Sequence, residues 1–242
     1  AGPHGHLLDG DEEDLSLASV TCFEMEELMQ QGAAATAVLT YLFHRLEARF
    51  DGRPTLLMLD EAWLFLDAPV FAARLRDWLK TLRKKNVAVV FATQSLSDIS
   101  ASAIAPAILE SCLTRIFLAN ERAQEPALRE TYERFGLNMR QIEIIARATP
   151  KRDYYFQSPK GSRLFDLGLG PVALAFAAAG TPKDQATLDR VLAETEGEGF
   201  AETWLHEKGL IWAADLLSRW PGHSSADRSP TQPFRPQILA AE

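Results

Sequence analysis

No glycine–lysine dipeptide occurs anywhere in the chain. That absence removes the G-x-x-x-x-G-K-[ST] loop, whose backbone N–H groups and lysine hold the β- and γ-phosphates of a nucleotide. "PKGSR", from Pro159 to Arg163, reverses the order, and "GPHGH" near the start carries no lysine. Cysteine is scarce too. Cys22 and Cys112 are far apart, with neither CxxC nor zinc-ligand spacing, which excludes a disulfide framework and a cysteine metal site and fits a reducing compartment. No apolar run approaches the ~18 residues that span a membrane. The opening "AGPHGHLLDGDEED" has neither the basic start nor the apolar stretch of a signal peptide. These absences predict a soluble chain that meets a membrane only through partners. Net positive charge is lacking as well. At −8 the net charge weighs against a protein that coats nucleic acid by bulk charge. The average hides a contrast: Asp9 to Glu27 holds eight acids and no Lys or Arg, whereas Arg74 to Lys85 holds six bases against Asp77 alone.

What is present is a globular core, with 47% apolar residues. After an acidic opening and a short helix near Phe23 to Gln30, "AAATAVLTYLFHRLEARF" predicts a helix from Gly32 to Phe50, broken by "DGRP". "TLLMLD" predicts a buried strand. Phe71, Leu75, Trp78, Leu79 and Leu82 recur at helical spacing and predict a helix over Val70 to Lys85. A second buried strand, Val87 to Thr93, a helix at Ile104 to Ser111 and a strand at "TRIFLAN" continue the rhythm of a parallel α/β sheet. Helices follow at Ala127–Phe135 and Met139–Arg147. "RDYYFQSP", "SRLFDL" and "PVALAF" then read as short strands of an antiparallel extension. "DQATLDRVLAE" and "GLIWAADLLSRW" read as helices, and the tail after Pro221, without periodicity, as disordered or a docking strip.

The run "TLLMLDEAW" ends abruptly in Asp60 and Glu61. In open α/β sheets ligands sit beyond the carboxyl ends of strands. An apolar strand ending in Asp-Glu is the Walker B pattern. One carboxylate serves a hydrated Mg²⁺, and the second polarises the attacking water. The alternative is a strand-end turn with two solvated acids. The next strand also ends in polar groups, Thr93 and Gln94 of "FATQS", able to sense a γ-phosphate or the lytic water. With this pair retained and the phosphate loop lacking, two explanations stand: a degenerate homologue, or a fragment whose loop lay upstream.

The run "LLMLDEAWLFLDAPVFAARLRDWLKTLRKKNVAVVFATQSLSDI" resembles the ATPases of conjugative transfer and type IV secretion systems, of the TrbE type. "LTRIFLANERA", "YERFGLNMRQIEIIARATPKRDYYFQS" and "SRLFDLGLGPVALAF" continue the resemblance to about residue 195. It implies an incomplete RecA-like P-loop NTPase core, a mainly parallel sheet flanked by helices, over residues 1–195. A helical appendage over 196–220 and a tail over 221–242 complete the expected layout. It further implies truncation as the reason for the missing loop, ATP and Mg²⁺ as cofactors of the intact protein, and poor hydrolysis by this piece alone. Asp60 would serve Mg²⁺ through water and Thr93 would lie at the nucleotide. Glu61 would activate water and Gln94 would sense the γ-phosphate. Arg152 would reach a neighbouring subunit's nucleotide, with Arg147, Lys151 and Arg115 as further candidates for that role. The implied setting is a ring, a hexamer, peripheral to the bacterial inner membrane on its cytoplasmic side, with the secretion channel and inner-membrane components as partners.

Two rivals remain: a DNA-pumping motor of the coupling-protein or FtsK kind, and a non-catalytic scaffold module of the secretion complex. The basic stripe of "ARLRDWLKTLRKKN" admits three readings: a nucleic-acid contact, a dock for an acidic neighbour, or a solvated helix face. Trp63 either floors the nucleotide or packs in the core. His4 and His6 have no third ligand and read as inert.

Overall fold

The computed structural model describes residues 20–23, 25, 33–61, 69–195 and 199–220. The expected helix at Phe23–Gln30, Trp63, His4, His6 and the tail after Pro221 lie outside those residues in whole or in large part. The chain divides into two compact units, Ala1–Asp166 and Leu167–Glu242.

In the first unit, α1 (Ala33–Ala48) turns Leu39 and Phe43 inward at a four-residue spacing. Asp51, Gly52 (φ 101°) and Arg53 reverse the chain into β1 (Thr55–Leu59). After α2 (Pro69–Thr81), a 3₁₀ turn over Leu82–Lys85 closes on Asn86 in the left-handed conformation (φ 59°). β2 (Val87–Phe91) then begins. The apolar stripe foreseen on α2 is buried at Phe71, Leu75 and Trp78, and Leu82 continues it. Phe43 stacks on Phe71 at 5.4 Å, and Trp78 lies 4.8 Å from Phe43 and 5.5 Å edge-on from Phe50. This aromatic cluster seals α1 and α2 together.

β1 and β2 pair parallel from Thr55↔Val87 to Leu59↔Phe91. Their inner side chains, Leu59 and Val87, are buried, while Leu56 and Met58 face outward with Val90 at 56%, 68% and 47% exposure. Both strands are apolar on both sides, as sheets covered twice are.

α3 (Leu96–Ala101) and α4 (Ala105–Ser111) lead to β3 (Arg115–Leu118). Here the parallel rhythm ends. After α5 (Pro126–Arg134) and α6 (Met139–Arg147), the chain returns as β4 (Asp153–Ser158) and β5 (Gly161–Asp166). β3 pairs antiparallel with β4, and β4 with β5. Among the described residues, parallel pairing is therefore confined to β1–β2, and the antiparallel sheet is the larger, against the expectation of a mainly parallel one. The reason is register: antiparallel pairing sets Phe117 opposite Tyr155 on the face that joins the common core. α6 is closed at its start by a capping box between Asn138 and Gln141.

In the second unit "PVALAF" is a helix, α7 (Pro171–Ala177), and not a strand. Its alanines favour helix most of all residues, and Pro171 occupies the first turn, where a missing N–H costs nothing. α8 (Pro182–Thr195), α9 (Phe200–Glu207) and α10 (Ile211–Ser218) follow. Trp204 is buried, its Nε1 donating to the Ala175 carbonyl at 3.0 Å. Lys208 lies 4.6 Å over its ring and pairs with Asp184. That ammonium, with the Thr181 hydroxyl, holds the Asp184 carboxyl down at about 2. No helix among the described residues is long and apolar enough to cross a membrane.

Candidate active site

Parallel pairing that ends at Leu59↔Phe91 brings the two strand tips to one edge, and the Ala92 N–H extends the ladder to the Leu59 carbonyl at 2.9 Å. Asp60 and Glu61 follow β1 at this edge, and Thr93 and Gln94 follow β2. Asp60 Oδ1 accepts from the Glu61 N–H at 2.9 Å. Glu61 itself has φ 48°, the left-handed region that a non-glycine residue enters at a cost of about 1 kcal/mol. The resulting bend turns the Glu61 side chain across to the neighbouring tip, where Gln94 Nε2 donates to Glu61 Oε1 at 3.2 Å.

Gln94 is aimed by its neighbours. The Thr93 hydroxyl accepts from the Ser95 N–H at 3.3 Å and donates to the Ser95 carbonyl at 3.2 Å. Ser95 Oγ then caps α3 by accepting from the Ser97 N–H at 3.1 Å. This cap is a site feature that strand–helix alternation passes over. The pattern Ser95-Leu-Ser-Asp98, a serine followed three positions on by an acid, is the signal that announces it.

Among the described residues no Lys, Arg or His pairs with Asp60 or Glu61. Two adjacent, water-facing carboxylates without a cation, one oxygen of each still unspent, fit a Mg²⁺ ion that keeps most of its water shell. No described cluster of three or more His, Cys, Asp or Glu exists that would hold a metal by direct ligation.

The four strand-tip residues thus stand together, and the basic candidates do not join them. Arg152 lies in the turn before β4, its Nε 2.8 Å from Asp166 Oδ2. Arg147 pairs with Glu143 at 2.8 Å, and Lys151 sits at φ 62° in the same turn. Arg115 is committed elsewhere: its Nη1 and Nη2 donate to the Phe135 and Leu109 carbonyls, each at 2.7 Å. A guanidinium holding two chain segments is a brace, which removes Arg115 from the candidates for reaching a neighbour. In the basic stripe, Arg74 reaches Glu47 of α1 at 2.6 Å and Arg76 donates to the Ala103 carbonyl at 3.2 Å. A cleft of about 440 Å³ is lined by Pro54, Thr55, Leu56, Arg83, Asn86, Val87 and Ala88. It opens at the amino ends of β1 and β2, the end opposite to the carboxylates.

No family model matches the chain. The conjugal transfer protein TrbE of Rhizobium radiobacter is 52% identical over 217 residues, 89% of this chain and 26% of its own. The type IV secretion system protein virB4 of Bartonella henselae is 31% identical over 78% of this chain and 24% of its own. The solved structure of VirB4 of Thermoanaerobacter pseudethanolicus is similar with a TM-score of 0.49 and 22% identity, over 62% of this chain and 40% of that one. The chain spans about a quarter of the length of the curated relatives it matches.

Proposed function

Since the chain belongs with the TrbE- and VirB4-type proteins of conjugal transfer and type IV secretion, we propose that it is the part of a RecA-like ATPase core that meets the γ-phosphate end of Mg²⁺-ATP. The observation that carries this reading is the 3.2 Å hydrogen bond from Gln94 to Glu61 at the common tip of two parallel strands. It joins the residue types that a nucleotide hydrolase needs on adjacent strands: an acid to take a proton and an amide to place the water.

Asp60, its Oδ1 held by the Glu61 N–H, would hold a hydrated Mg²⁺ through its remaining oxygen. Bound Mg²⁺ would supply neutralisation of the phosphate charge. Glu61 accepts a hydrogen bond from the attacking water and holds its proton. Gln94 donates to Glu61 at rest, and its carbonyl oxygen remains to orient the same water. Thr93 and Ser95 keep Gln94 in place by closing the turn between them. Arg152 is the residue offered to a neighbouring subunit, since its partner Asp166 is exposed and exchangeable. No Gly-Lys loop within these 242 residues supplies the phosphate grip. The assembly proposed is a ring at the inner membrane that feeds a secretion channel, hydrolysis driving pilus assembly and substrate transfer.

The test is ATP hydrolysis by the full-length protein carrying Glu61→Gln. Loss of a positioned general base lowers kcat about 100-fold or more while leaving nucleotide binding intact. An unchanged kcat would remove Glu61 from its role.

A further inference from the structure

Helix α10 is built the wrong way round for a surface helix. Its inner side is small: Ala213 and Ala214 are buried, with Leu210 and Leu217 packed beside them. Its outer side is large. Trp212 and Leu216, at a four-residue spacing, are 59% and 56% exposed, Ile211 is 57% exposed, and Trp220, just past the helix's last residue Ser218, is 63% exposed. A helix with large apolar side chains on its outer as well as its inner side is normally covered on both. Beside this stripe stand one acid on the helix, Asp215, and one base at its C-cap, Arg219, and among the described residues neither is in an ion pair.

We infer that this face docks the same face of a second copy of the chain, the two helices antiparallel about a two-fold axis near Leu216. The charges select that partner. Centring the axis on Leu216 sets Trp212 beside the partner's Trp220. It also leaves Asp215 two residues, ~3 Å along the helix axis, from the partner's Arg219. Symmetry repeats the pair on the other side, so one acid and one base on each copy satisfy two bridges. A membrane surface fits less well: between Leu167 and Trp220 there are eight acids against four bases, the wrong sign for an anionic leaflet.

Size sets the strength. Two Trp, one Leu and one Ile at these exposures offer about 450 Å² per copy, on a scale of 150–250 Å² for a whole aromatic side chain. Some 900 Å² over both copies lies at the lower edge of specific interfaces, so the dimer is weak, with a dissociation constant above about 1 µM. Such a contact acts where copies are already held close. The inference is independent of any activity at the strand tips.

Sedimentation velocity of the whole chain from about 5 to 500 µM tests it, with far-UV circular dichroism on each variant. The wild type passes from monomer to dimer across that range. Leu216→Gln and Trp212→Gln, both exposed substitutions that leave the helix intact, keep the chain monomeric. Asp215→Arg or Arg219→Asp alone places like charges together and weakens the dimer at least about tenfold. The double variant Asp215→Arg/Arg219→Asp restores it. A wild type that stays monomeric at 500 µM overturns the inference, as does association indifferent to these variants, or a double variant no better than the singles. Binding to phosphatidylglycerol vesicles that is lost in Leu216→Gln, with no dimer, transfers the face to a membrane and equally overturns it.

Discussion

Arg115→Ala tests whether the half-buried guanidinium braces the fold. Nη1 and Nη2 each hold a backbone carbonyl at 2.7 Å, one from Leu109 in α4, the other from Phe135 just after α5. These are charge-assisted bonds, worth about 1.5–3 kcal/mol each when dry. Partial exposure reduces that, so about 1–2 kcal/mol per bond is the working figure. Removing the side chain leaves two carbonyls short of a donor and frees the end of β3, for a total of about 2–4 kcal/mol. A Lys at the same position reaches one carbonyl with a point charge and recovers about half of the loss. Urea unfolding followed by circular dichroism reads both variants. A midpoint shift equivalent to less than about 1 kcal/mol for Arg115→Ala refutes the brace. It would return Arg115 to the set of arginines free to act on a neighbouring subunit.

Glu61→Gly removes the left-handed strain at φ 48° and raises unfolding stability by roughly 0.5–1 kcal/mol while abolishing hydrolysis in the full-length protein; a loss of stability in a thermal melt contradicts the strained turn. Asp184, held at about 2 in the folded state against an ordinary 3.8, stabilises the second unit above pH 3.8. That stability is lost as pH falls from about 4 towards 2, and Trp204 fluorescence should follow it. Asp184→Asn should flatten the titration over this window, and an unchanged acid limb rules the Lys208 pairing out as its cause. Asn138→Ala opens the capping box of α6 and costs about 1 kcal/mol, measured by chemical denaturation.

Much of the strand-tip site can be read before any coordinates. Apolar runs ending in Asp60–Glu61 and Thr93–Gln94, with one helix between, predict two parallel strands with their polar ends on one edge. The chirality and length of a crossover leave little else to build. The left-handed turn at Glu61 is not readable, because it depends on a side chain reaching its own neighbour's N–H. Nor is the partner of β3. The spacing of "TRIFLAN" announces a strand, but only the core position of Phe117 against Tyr155 selects an antiparallel mate. Arg115 eludes sequence reasoning for a related reason: its acceptors are carbonyl oxygens, which every residue carries. "PVALAF" shows a short apolar run taken as strand when its alanines and leading proline specify a helix.

The Thr93–Ser95 turn has a mechanical consequence. Gln94 is fixed at one end to a strand tip and at the other to the start of α3, whose Ser95 cap is the next residue. α3 in turn rests on α5. The backbone of Gln94 is thus one residue from the Ser95 cap, so any shift of that backbone is applied directly to the start of α3. One carboxylate oxygen and one helix end are thereby joined through two consecutive residues, Gln94 and Ser95.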